Sequence, residues 1–148
     1  MTRAAFLLLA LATPIFAEDR PQALLSLLNY HASACTAQGG TLSVPQDAVS
    51  KAILTDSADP AFILDSSRLS CSTAPAMFCA ESIGCELNVF QSGAQHSLIV
   101  LDWSLVNDED RQLLQVTISG ELLNKPEPGT YRMAWDETTK ALVTIPES

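Results

Sequence analysis

The spacing of four cysteines constrains this chain more than any other feature. Cys35 stands apart, and Cys71, Cys79 and Cys85 crowd into the stretch CSTAPAMFCAESIGCELNVF, residues 71–90, which leads into the first strongly alternating apolar run. An even number of cysteines behind a secretory leader reads as a disulfide framework. Zinc would need ligands at closer pairings than C-x7-C-x5-C supplies, and the two histidines, His31 and His96, lie far from the cysteines in sequence. Four cysteines allow three pairings. The expected one joins Cys79 to Cys85 across a short loop containing Gly84, and leaves Cys35 to tie the N-terminal segment to Cys71. In the loop-entropy picture the small ring contributes roughly 2 to 2.5 kcal/mol and the large one roughly 4 kcal/mol.

The leader itself is MTRAAFLLLALATPIFA: one basic residue at Arg3, an apolar run from Ala4 to Ala12, and a small residue at Ala17 before Glu18. This is the pattern of a signal peptide over residues 1–17. A spanning helix needs about 20 apolar residues, whereas Thr13 and Pro14 interrupt this run and Glu18, Asp19 and Arg20 end it. No membrane span is expected after cleavage, and residues 18–148 are expected to form a single mature domain, long enough to bury a core of its own. The predicted address is periplasmic or secreted.

The chain of 148 residues carries 8 basic and 17 acidic side chains, a formal net charge of −9. Loss of Arg3 with the leader makes the balance more negative still. Such a surface repels phosphate backbones and anionic headgroups, which argues against nucleic acid, and favours cationic partners within a Debye length.

Along the mature chain, Leu24, Leu25, Leu27 and Leu28 recur at helical spacing in RPQALLSLLNYHASA, with Pro21 at the expected start, predicting an amphipathic helix over 20–34. His31 falls near its apolar face and reads as a packing histidine. Gly39 and Gly40 stop the helix. Short β-rich runs follow at 41–44, 49–54, 61–64 and 68–71, separated by turn residues, the pattern of a mainly antiparallel domain. Cys85, Leu87 and Val89 alternate with Glu86 and Asn88 in a half-buried strand. Residues 91–95 form a hairpin turn, and the nearly continuous apolar run from Ser97 to Trp103 predicts a central strand. After the charged loop 107–111, Leu114, Val116 and Ile118 alternate. The connection from Gly120 to Gly129 carries Pro126 and Pro128 and so is not a central strand. A last hairpin places Tyr131, Met133 and Trp135 on one face, turns at 136–139 and returns through Ala141, Val143 and Ile145. The fold class expected is mainly β, α+β at the margin: an N-terminal helix packed on a small antiparallel sheet or sandwich, closed by two disulfides.

The polar cluster with the most chemistry is LTDSADPAFILD, where Asp56, Asp59 and Asp65 flank a short apolar strand. Calcium takes six to eight oxygens at fixed loop positions, with a glycine where the chain bends, and no glycine occurs between Gly40 and Gly84. A surface turn with Asp capping backbone amides is the plainer reading.

The order of Cys35, Gly39-Gly40 before a strand, an Asp-bearing turn into FILD, Leu69-x-Cys71 and FCAESIGCELNVF resembles uncharacterised small secreted proteins of Gram-negative bacteria. In those the turn is similar to the calcium-binding D-x-N/T-G-D-G-x-x-D repeat of FG-GAP-like domains and the cysteine loop reads F-C-G-x-G-G-C. The likeness covers roughly residues 35–90. Here Ile53, Ser57, Ala58 and Ala61 stand where that pattern has Asp, Asp, Gly and Asp, and Ala80 and Ile83 replace two of three loop glycines. The resemblance implies a secreted disulfide fold and no catalytic role.

Nucleophilic catalysis needs a nucleophile beside a positioned base. His31 and His96 are the available imidazoles, and no G-x-S-x-G elbow is present. No cofactor is expected. The expected function is a non-enzymatic binding or interaction module of unknown partner, an envelope or extracellular protein for which the acidic surface would favour a cationic one, with the loop Ala80, Glu81, Ser82, Ile83 and Gly84 as its first candidate recognition surface. The alternatives are a carboxylate-dependent hydrolase, which requires carboxyls converging in a pocket, and a calcium-stabilised envelope module built on Asp56, Asp59 and Asp65.

Overall fold

In the computed structural model, residues 19–146 are described; the leader read over 1–17 lies outside them. Helix α1 runs Gln22–Ala37. It buries Leu24, His31 and Cys35, positions spaced seven and four apart and therefore on one side of a 3.6-residue helix. Its end is set by glycine. Gly39, at φ +75°, takes the left-handed position that side-chain-bearing residues avoid, and its N–H closes on Thr36 O at 2.8 Å. The helix starts two residues later than the apolar pattern indicated and ends three residues later, its last turn carrying the buried Cys35 and closing through the Gln38 and Gly39 N–H groups.

The strands are β1 (Leu42–Ser43), β2 (Val49–Ala52), β3 (Ala61–Asp65), β4 (Ser70–Cys71), β5 (Cys79–Ala80), β6 (Gly84–Gln91), β7 (Ala94–Val100), β8 (Asp102–Asp108), β9 (Arg111–Ile118), β10 (Gly129–Asp136) and β11 (Ala141–Thr144). A short helix α2 (Gly120–Leu123) fills the proline-bearing connection between β9 and β10. The first sheet has the order β2-β3-β6, with β7 on the other edge of β6 and β5 paired to the start of β6. The second has the order β11-β10-β9-β8, and β1 and β4 make a small separate pair. All the pairings are antiparallel.

The two sheets pack face to face over Leu54, Ile63, Leu87, Val89, Val100, Leu114, Val116, Met133, Trp135 and Leu142. A second core lies on the opposite face of the first sheet, where Leu24 of α1 meets Phe62, Leu64, Leu69 and Phe90. The first sheet is therefore a middle layer. That is why all five residues of β3 are buried: Ala61 and Ile63 turn to the inter-sheet core, Phe62 and Leu64 to the helix, as the period-two strand requires. At about 1.5 to 3 kcal/mol for each large side chain taken from water, the helix is held by this second core rather than by its own propensity.

Both disulfides form as the spacing indicated, Cys35–Cys71 and Cys79–Cys85. Among the described residues no helix is long and apolar enough to cross a membrane.

The run Ser97–Trp103 departs from the sequence reading. It is not one central strand but the end of β7, a corner at Leu101, and the start of β8, each an edge strand of a different sheet. Val100 still pairs with Cys85 in the first sheet, while the N–H of Leu101 donates to Thr117 O at 2.7 Å and Asp102 pairs with Thr117 in the second. Ile99 and Leu101 are exposed, so unbroken apolarity here marks a change of sheet, not burial on both faces. The charged loop is likewise tighter than expected. β8 and β9 continue to Asp108 and Arg111 and turn through Glu109, at φ +52°, and Asp110.

His31 sits in the second core, 7 % exposed, with its ring edge-on to Phe78 at 5.0 Å and to Tyr30 at 5.8 Å. Burial pushes its pKa below the usual histidine value, and the negative charge of Glu86 on β6 partly opposes this. The native state resists a proton that the unfolded chain accepts near pH 6.5. Stability from this group is therefore complete above that pH and falls as pH drops through it toward the lower native value. His96, half-buried on β7, has the same sign. Thermal unfolding between pH 7 and 5 is expected to show a falling Tm, with a shallower slope in His31→Phe; an unchanged slope would place the dependence elsewhere.

Candidate cleft at the sheet-switching corner

Where the chain passes from the first sheet to the second, the layers part and leave a cleft of about 330 Å³, lined by Asp47, Asp65, Arg68, Cys85, Asp102 and Trp103 among others. Its centre is Asp65. The residue ends β3 and caps the 3-10 turn Ser66–Arg68, its Oδ1 accepting the Ser67 N–H at 2.9 Å. Its Oδ2 accepts the indole N–H of Trp103 across the two sheets at 2.8 Å. Arg68 stands with Nε 3.8 Å from the same oxygen and reaches Asp47 Oδ2 with Nη1 at 3.1 Å. The Arg68–Asp47 pair is more than half exposed on both sides and contributes little to stability; the indole–carboxylate bond is shielded and is of the stronger, charge-assisted kind.

Three carboxylates and one guanidinium thus line the cleft. Asp65 and Asp47 are engaged with donors. Asp102 is exposed at the start of β8, and its carboxylate has no hydrogen bond or ion pair among the described residues. The arrangement suits holding a cation beside an indole more than passing protons between two free carboxyls.

The three Asp residues considered for calcium are separated. Asp65 is in the cleft. Asp56 borders a second depression with Asp108, Glu109, Asp110 and Arg111, and Asp59 lines a third with Pro21, Phe62, Phe90 and Gln91. Among the described residues no group of three His, Cys, Asp or Glu side chains is placed to hold a metal ion. The loop Ala80–Gly84 does project: Ala80, Glu81 and Ser82 are exposed, Ile83 and Gly84 partly so. It is anchored where Ser119 Oγ donates to Ser82 O at 2.9 Å, and Cys85 just after it forms part of the cleft wall. Neither His31 nor His96 is joined by a hydrogen bond to a serine among the described residues, and all four cysteines are bridged.

Sequence reasoning missed Asp47, Arg68, Asp102 and Trp103 as partners of Asp65. They come from separate parts of the chain, and no spacing announces their meeting. It also missed Asn88. Read as an outward polar residue of β6, Asn88 is fully buried, its Oδ1 accepting from Gln95 Nε2 at 2.8 Å and from Ser97 Oγ, and its Nδ2 donating to Glu86 Oε1 at 2.8 Å. The outward face of β6 is the covered side of a middle layer, which alternation alone does not reveal. Comparison of the chain with protein-family models, with curated proteins and with solved structures gives no match.

Proposed function

We propose that this chain is a periplasmic or secreted, non-enzymatic binding module that captures a cationic envelope or extracellular protein, receiving a basic side chain in the cleft between Asp65, Asp102 and Trp103. The observation that carries the reading is the cleft's imbalance: three carboxylates against one guanidinium, with Asp102 unengaged at the mouth. The acid-rich composition supports it, since the long-range field of the whole chain draws the same class of partner. Two disulfides fit an oxidising compartment, and the leader pattern supplies the route. Export is tested by N-terminal sequencing of the chain recovered outside the cytoplasm, which is expected to begin at Glu18.

The binding reading makes a measurable prediction with an arginine-rich peptide as probe. Affinity is expected to fall as salt shortens the Debye length from about 10 Å at 0.1 M to about 3 Å at 1 M. At low salt, Asp102→Asn is expected to weaken binding roughly fivefold, on the order of 1 kcal/mol for one exposed ion pair, without changing the unfolding midpoint. Salt-insensitive capture, or an Asp102→Asn variant that binds as tightly as the parent, would sink the proposal.

A further inference from the structure

The two disulfides occupy different environments. Cys35 and Cys71 are fully buried, and Gly40 backs directly onto both sulfurs, so close that a side chain there would overlap them. Cys79 is exposed and Cys85 half-buried, and the two face each other across an antiparallel pair with Cα atoms 4.2 Å apart. Thiol–disulfide exchange requires a thiolate to reach a sulfur, so access decides which bridge reacts.

The segment between Cys71 and Gly84 has little else to hold it. Its backbone bonds are mostly internal turns, Ala74 N–H to Cys71 O, Met77 N–H to Ala74 O and Cys79 N–H to Ala76 O. Outside itself it is held by the two-residue pairing of β5, by Ser72, whose N–H donates to Thr41 O at 3.1 Å and whose Oγ accepts from Thr41 N–H, and by Ser82 O accepting from Ser119 Oγ. Phe78, next to Cys79, is the residue this segment lays over the helix–sheet seam, where its ring lies edge-on to His31 at 5.0 Å and joins the second core.

We propose that Cys79–Cys85 is a redox-sensitive clasp, opened by a dithiol reductant while Cys35–Cys71 stays closed, and that opening it lifts Phe78 from His31 and exposes this seam. In the exchange, one thiolate of the dithiol attacks the exposed Cys79 sulfur and the Cys85 thiolate departs. The second thiol of the reductant then displaces Cys79 from the mixed disulfide. The dithiol leaves oxidised to its own disulfide, and the protein gains two thiols. Because Cys85 also walls the cleft, the same event alters the binding surface, although the clasp stands without the cationic-partner reading.

His31 reports the state of the clasp. Phe78 and the helix face shield it, and Glu86 on β6 is the carboxylate acting on it; once Phe78 leaves, water reaches the ring and its pKa rises toward the ordinary value. The test treats the oxidised full chain with graded dithiothreitol without denaturant, blocks free thiols with iodoacetamide and maps the labelled peptides. Labelling at Cys79 and Cys85 is expected at least tenfold faster than at Cys35 and Cys71, and the His31 ring titration, followed by NMR, is expected to move upward on reduction. Phe78→Ala in the oxidised chain is expected to give the same upward move with the bridge intact, and Cys79→Ala/Cys85→Ala to fix it permanently. Equal labelling of all four cysteines, or a His31 midpoint indifferent to reduction and to Phe78→Ala, would overturn the proposal; if the double variant does not fold, labelling and Phe78→Ala still decide it.

Discussion

Replacing Cys35 and Cys71 together by alanine is expected to lower the unfolding free energy by about 4 kcal/mol, against about 2 to 2.5 kcal/mol for the same change at Cys79 and Cys85. The first bridge closes a sequence separation of 36 and the second one of 6, so the unfolded chain regains far more freedom when the first is cut. The native side adds to the difference. Cys35 sits on the buried face of α1 and Cys71 on β4, which pairs with β1; their bridge adds a cross-link between the helix and β4 to the main-chain connection. With typical domains stable by 5–15 kcal/mol, the loss is a large share of the whole, equivalent to about 10–15 °C in Tm for a domain of this size. Urea unfolding of the two double variants and the parent measures it. A Cys79/Cys85 variant as damaged as the Cys35/Cys71 variant, or more so, would show that native-state geometry, not loop entropy, governs both.

That pairing was legible because the short Cys79–Cys85 spacing leaves Cys35 and Cys71 for each other, and most of the strands were legible as well. Cys85, Leu87 and Val89, or Tyr131, Met133 and Trp135, alternate because one face of each strand meets the inter-sheet core, and period two writes this directly into the sequence. Helix α1 shows in its leucines for the corresponding reason. What sequence did not show is where one layer ends and another begins. Leu98 to Leu101 would suit a buried strand as well as a corner, and the difference lies in the hydrogen bond from Leu101 to Thr117, far along the chain. The cleft was illegible for that cause: Asp65 is drawn to Trp103 by the corner, and a local reading of Asp65 saw only its turn. The candidate loop Ala80–Gly84 is exposed over Ala80 to Ser82, but the cleft's chemistry comes from other residues.

Gly84, the last member of that loop, is where a single methyl group is expected to do most harm. Its φ is +108°, and a Cβ built there would lie 2.1 Å from Val100 O, 2.5 Å from Val100 C and 2.9 Å from Leu101 N. All three are backbone atoms at the corner between the sheets, so no side chain can swing aside. Gly84→Ala must either strain its own dihedrals, at about 1–3 kcal/mol, or push the corner outward, at about 1–3 kcal/mol for overpacking, and the positive φ makes it face both; a loss of about 3 kcal/mol or more is expected. Gly93 provides the control. It has φ +74° at the β6–β7 turn but nothing within 4 Å of its Cβ position, so Gly93→Ala bears the dihedral cost alone, about 1 kcal/mol. Moving the corner would also draw Leu101 from Thr117 and Trp103 from Asp65, so Gly84→Ala is expected to change Trp103 fluorescence in the folded state, whereas Gly93→Ala should leave it unaltered. Equal destabilisation of the two variants would mean that the close approach at Val100 is not what requires glycine at position 84.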